Sequence, residues 1–135
     1  VYLTCKYSLA QMVKQGEGGA IVIVSSVTAL NGRSANPAYL SGKHGLIGLA
    51  RHIGVHYGRR GIRCNAVCPG ALERTPNHDD HPDPTGREES LVARIPLGRL
   101  GQPEEIAPFI VFLCTPAAAY ATGAAFVIDG GLSVA

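Results

Sequence analysis

The sequence predicts an α/β fold: a parallel sheet of three strands with helices flanking it. Three observations predict it. Short apolar runs recur at 20–24 (Ala20-Ile21-Val22-Ile23-Val24), at 61–68 and at Ala125-Phe126-Val127-Ile128, and the first is polar on neither face, as a strand covered on both sides must be. Segments of helical periodicity alternate with these runs, which argues for parallel pairing. Each run is cut off by turn-forming residues: Ser25-Ser26, Pro69-Gly70 and Asp129-Gly130-Gly131.

Residues 1 to about 15 read as a helix, with Leu3, Tyr7, Ala10 and Lys14 at helical spacing and Gly16-Glu17-Gly18-Gly19 as its stop. Val1-Tyr2-Leu3-Thr4-Cys5 carries no Met and no cap and reads as a helix already under way, so the chain is expected to be part of a longer sequence. The strand at 20–24 follows, then a loop containing Asn31-Gly32 and Asn36-Pro37. Residues 38–58 form a long helix that holds Gly42, Gly45, Gly48 and Gly54. Each helical glycine costs about 1 kcal/mol relative to alanine; four of them suggest a backbone approaching closely, such as a partner helix, with simple tolerance of the glycines as the alternative. The second strand, 61–68, leads into a long polar loop at 71–88 and a short helix near 88–94. Pro103-Glu104-Glu105 opens the last helix, with proline in its first turn and acids at the positive end of its dipole. It runs to about Cys114, and the third strand closes on Asp129, expected to cap the turn.

Composition excludes several classes. At 135 residues the chain suits one domain or part of one, and 46% apolar with 16% charged residues is neither disordered nor membrane-like. A net charge of +2 with scattered Lys and Arg gives no nucleic-acid surface. The apolar runs are too short to span a bilayer, and no signal peptide opens the chain. Cys5, Cys64, Cys68 and Cys114 share no pairing rhythm and are expected to be small hydrophobes in a reducing compartment, the cytoplasm.

Tyr39-x-x-x-Lys43 carries the chemistry. Positions i and i+4 share a helix face, so phenol and ammonium are neighbours. A nearby cation favours the ionised phenol and suits it to exchange a proton near neutral pH. Ser26, at the C-terminal end of a strand where open sheets place ligand-binding groups, can hydrogen-bond the same substrate oxygen. Ser25 is the competing serine.

Val24-Ser25-Ser26, Tyr39-Leu40-Ser41-Gly42-Lys43, Asn65-Ala66-Val67-Cys68-Pro69-Gly70, the stretch from Pro96 to Ala107 and Asp129-Gly130-Gly131 resemble, in order and spacing, the short-chain dehydrogenases/reductases. The resemblance covers essentially the whole chain, 1–135, as one partial domain. It implies the C-terminal half of a doubly wound, Rossmann-like sheet, and an NAD- or NADP-dependent oxidoreductase acting on a small-molecule secondary alcohol or ketone. By the same resemblance Tyr39 is the general acid/base, Lys43 makes its phenol more acidic and holds the nicotinamide-side ribose, and Ser26 polarises the substrate oxygen. Pro69, Gly70 and the residues after them, Leu72 included, line the nicotinamide pocket, and Thr75 supplies a hydroxyl. Family members place that threonine closer to the glycine, and an insertion around Glu73-Arg74 accounts for the difference. The resemblance also implies a homo-oligomer, dimer or tetramer, built on the helices at 1–15 and 38–58.

No glycine-rich turn between a strand and a following helix occurs, so the part that grips the cofactor's phosphates is expected to lie elsewhere, and this chain alone is expected to be inactive. A non-catalytic fragment or oligomerisation module is the alternative. His78-Asp79-Asp80-His81 looks like a metal cluster, but adjacency on a loop provides neither convergent ligands nor the hydrogen-bond partners that orient them, and no metal site is expected.

Overall fold

The computed structural model describes residues 1–34, 36–73 and 84–135, apart from the side chains of 84, 85 and 87. Its elements run α1 (Tyr2–Gln15), β1 (Gly19–Val24), α2 (Thr28–Asn31), α3 (Pro37–Tyr57), β2 (Ile62–Pro69), α4 (Pro84–Val92), α5 (Pro103–Cys114) and β3 (Ala125–Ile128). The strands form one parallel sheet in the order β1-β2-β3. The α/β class, the three strands and the long helices therefore stand as the sequence predicts.

Alternation along β2 sorts the two faces of the sheet. Ile62, Cys64, Ala66 and Cys68 point to the side covered by α1 and α3, where they join Cys5, Leu9, Ile23, Ile47, Ala50 and Ile53 in the larger core. Val67 points to the other side and packs with Ile106 and Leu113 of α5. With both faces covered, β2 is buried almost throughout, whereas β1, among the described residues, is paired along one edge and Val24 is exposed. Asn65, a buried polar member of this run, is satisfied: its amide donates to the Ala121 carbonyl at 2.8 Å and its Oδ1 accepts from the Ala124 N–H at 3.1 Å. The four cysteines are free, and burial pushes the Cys64 thiol up to about 12.

Three expectations change in detail. The segment expected to be a loop before α3 contains the one-turn helix α2, which packs against α3. α4 begins at Pro84, earlier than residue 88, because proline is pre-organised for the first helical turn. A close backbone approach does occur at a helix glycine, but within the chain: a Cβ on Gly54 would stand 2.8 Å from the Gly123 nitrogen, while Gly42, Gly45 and Gly48 face open space. Asp129 caps its turn as expected, accepting from the N–H groups of Gly131 at 2.9 Å and Ser133 at 2.7 Å. Among the described residues no helix is long and apolar enough to cross a membrane.

Candidate active site

The C-terminal ends of the three parallel strands lie side by side, and the first two are tied together beyond the strands proper. Ser25 N–H donates to the Val67 carbonyl at 2.7 Å, and Val27 N–H to the Pro69 carbonyl at 3.1 Å. The residues between are thereby fixed against β2. Ser26 is 8% exposed, and its hydroxyl accepts hydrogen bonds from Thr28 N–H at 3.2 Å and Thr28 Oγ1 at 3.0 Å. These bonds leave its own O–H free to donate elsewhere. Thr28, which opens α2, is a partner the sequence does not announce.

α3 begins where the sequence gives it a start signal. Pro37 occupies the first turn, and Asn36 Oδ1 accepts from the Tyr39 N–H at 3.0 Å, an N-cap bond. Tyr39 thus sits in a well-anchored first turn, half-buried. Lys43 follows one turn later, its Nζ 5.6 Å from the centre of the Tyr39 ring. The same ammonium donates to the Val24 carbonyl at 3.1 Å, reaching across to the end of β1. Beside it, Ser25 Oγ donates to the Lys43 main-chain carbonyl at 2.8 Å. Cys68, across the ladder on β2, lies within the same group: burial pushes its thiol up, opposed by hydrogen bonds from the Ser26 backbone and Ser25 hydroxyl and by the charge of Lys43. The structure therefore sets the Lys43 ammonium beside Tyr39 and ties Lys43 to Val24 and to Ser25, the neighbour of Ser26.

The corner beyond β2 is built from backbone. Gly70 N–H donates to the Ile128 carbonyl at 3.0 Å, and a Cβ on Gly70 would stand 2.7 Å from the Asp129 Cα, so only glycine fits between the strand ends. Leu72 pairs with Gly101 in an isolated parallel bridge, flanked by bonds from Gly101 N–H to Ala71 O at 3.0 Å and from Glu73 N–H to Gly101 O at 2.9 Å. Arg99 and Glu105 lock this crossing. The guanidinium donates to both carboxylate oxygens at 2.6 and 2.8 Å, and Glu105 also accepts from the Gln102 N–H at 2.8 Å. The Arg99 bonds, with that backbone bond, pull the Glu105 carboxyl down to about 2. Burial pushes Asp129 up, but bonds from the Ser133 hydroxyl and from the N–H groups of Gly131 and Ser133 outweigh it and leave the carboxyl below its usual range. A cavity of about 90 Å³ lies at this corner among Leu72, Arg99, Glu105, Ile128 and Asp129.

The larger hollow, about 370 Å³, runs between α1 and α3 past Cys5, Lys6, His52 and Tyr57, away from Ser26, Tyr39 and Lys43. Thr75 and the His78-Asp79-Asp80-His81 stretch lie outside the described residues. Among the described residues no three His, Cys, Asp or Glu side chains gather as metal ligands.

Comparison with known proteins places the whole chain. A family model described as enoyl-(acyl carrier protein) reductase matches residues 1–133. Over 133 residues the chain is 46% identical to an L-rhamnose 1-dehydrogenase (NAD(P)(+)) of Sphingomonas sp. strain SKA58, covering 98% of this chain and 52% of that protein. It is 44% identical to the enzyme so named from Azotobacter vinelandii, with the same coverage. Among solved structures, an Agrobacterium tumefaciens protein described as a candidate 2-deoxy-D-gluconate 3-dehydrogenase, with bound NADP, superposes with a TM-score of 0.92 at 32% identity, over 99% of this chain and 54% of that one. The chain spans about half the length of the relatives it matches.

Proposed function

The chain belongs to the short-chain dehydrogenase/reductase family, and from that premise we propose that it carries the Ser26-Tyr39-Lys43 reaction centre of an NAD(P)-dependent oxidoreductase acting on a secondary alcohol or ketone. The observation that carries the reading is the placement of the Lys43 ammonium, beside the Tyr39 ring and bonded to the strand end that leads into Ser26.

The residues present fit the nicotinamide end of such a cofactor. Lys43 spends one N–H donor on Val24, and an ammonium has two more for ribose hydroxyls. The backbone of Pro69, Gly70 and Leu72 lies at the adjacent strand end, where open parallel sheets receive ligands. The family resemblance assigns Thr75 a hydroxyl toward the same cofactor. When bound, the nicotinamide ring gives a hydride to the carbonyl carbon or takes one from the alcohol carbon.

In the reducing direction the Tyr39 phenol donates its proton to the substrate oxygen as the carbonyl π pair moves onto it, and an alcohol results. In the oxidising direction Tyr39 takes that proton back. Lys43 stabilises the phenolate left behind, and the Ser26 hydroxyl hydrogen-bonds the same substrate oxygen as charge develops on it. Sugars and sugar acids are the favoured substrate class. The relatives named for L-rhamnose oxidation support this, since a ring carbon bearing one hydroxyl and one hydrogen undergoes the same chemistry.

The phosphate-binding turn is not among these residues, so cofactor affinity and turnover belong to the longer polypeptide, and this chain alone is inactive. The free cysteines support a reducing, cytoplasmic setting. Exposed Tyr2, Leu3 and Tyr7 on α1 support a homo-oligomer. The test is a panel of aldoses, sugar acids and simple secondary alcohols, each with NAD and NADP, assayed on the full-length polypeptide by reduced-nicotinamide absorbance. Turnover of at least one sugar is expected; turnover of none of these alcohols with either cofactor contradicts the reading.

A further inference from the structure

Lys43 is held at two points by the end of β1, and the proposed function uses only one of them. The ammonium bond to Val24 places the charge. The second tie, from Ser25 Oγ to the Lys43 main-chain carbonyl, touches no reacting group. It is a lateral bond onto a carbonyl inside α3, using the lone pair that helical bonding leaves over.

Ser25 is well placed to fix something. It is 3% exposed, and its own N–H is bonded to the Val67 carbonyl, so its backbone is part of the sheet. α3 packs on β1 and β2 largely through apolar contacts from Leu46 onward, which constrain its distance from the sheet better than its rotation or its slide along its own axis. A directional bond near the helix's first turns supplies that missing constraint. A slide or roll of α3 would move Tyr39 and Lys43 together against Ser26, which is fixed to β2 through its neighbours.

We propose that Ser25 is a positioning residue: its hydroxyl, given to the Lys43 carbonyl, sets the slide and roll of α3 and so keeps the phenol and ammonium opposite Ser26. The inference rests on the Ser26-Tyr39-Lys43 reading and extends it to a residue that touches neither substrate nor cofactor. Its loss is tolerated by the fold, because the Lys43 carbonyl keeps its helical bond.

The test uses the full-length polypeptide with Ser25→Ala, Ser25→Thr and, as reference, Tyr39→Phe. Ser25→Ala is expected to lower kcat about tenfold with cofactor affinity nearly unchanged. KM for the alcohol is expected to stay near the wild-type value, because the loss falls on turnover and not on binding. Ser25→Thr, which keeps the hydroxyl, restores kcat. Should the alanine variant fail to fold, Ser25→Cys under reductant, near in size but a weak donor, is expected to lower kcat in the same way. A wild-type kcat in whichever non-hydroxyl variant folds, beside an inactive Tyr39→Phe, overturns the positioning role alone. An active Tyr39→Phe overturns the reading beneath it.

Discussion

The two corners at the strand ends are built on opposite principles. The β1 corner is built from side chains: a phenol, an ammonium and two hydroxyls, each at a set position in the helix α3 or the chain leaving β1. At the β2–β3 corner almost everything is backbone, and side chains serve to lock it. Gly70 is needed because it has no side chain, and Arg99, Glu105 and Asp129 hold turns and crossings in place. Under the proposed reading the first corner depends on chemical identity, and a substitution there is expected to change turnover with little change in stability. The second depends on shape, and a substitution there changes stability and, through it, whatever rests on the wall.

Gly70→Ala breaks the comparison hardest. Its new methyl group would stand 2.7 Å from the Asp129 Cα, inside ordinary contact distance of the main chain. Overpacking of this kind costs about 1–3 kcal/mol. The urea midpoint of the full-length polypeptide should fall accordingly; an unchanged midpoint means the strand ends are less closely packed than described. A smaller effect is expected from acid. Glu105 is depressed to about 2, so its pairing with Arg99 stabilises the fold above the ordinary carboxylate range. That stability is lost as pH falls through the folded-state value. Because both side chains are about half exposed, solvent and salt screen the pair and the loss is modest. Thermal midpoints of wild type and Glu105→Gln should converge between neutral pH and pH about 2; a constant difference would show that the pair contributes nothing titratable.

The same contrast explains what is legible in the sequence. β2 is legible because a strand buried on both faces must be apolar in both alternating sets, and the run 61–68 is so except for Arg63 and Asn65, whose side chains bond to carbonyls of the 113–121 region. The Tyr39 and Lys43 pairing is legible because helical spacing alone brings positions four apart together. α2 is not, since one turn has no periodicity to read. Neither is the Ser25 tie to Lys43, nor the Leu72–Gly101 bridge, because both join residues distant in sequence through a single contact that leaves no repeating pattern. Gly54 lies between these cases: its presence in a helix signals a close neighbour, but only the structure identifies that neighbour as the 122–123 turn. For Glu105, the helix start predicts an acid and nothing predicts Arg99.

The central claim is that the Lys43 ammonium acts on turnover through the Tyr39 phenol. A double-mutant cycle tests it most directly, with kcat of the full-length polypeptide measured at saturating cofactor for Tyr39→Phe, Lys43→Met and the pair. Each single change is expected to lower kcat, Tyr39→Phe by about a thousandfold or more, and the double variant to be no slower than Tyr39→Phe alone, because groups acting as one unit are not additive. Losses that multiply, or a Tyr39→Phe enzyme that turns over near the wild-type rate, would contradict the account.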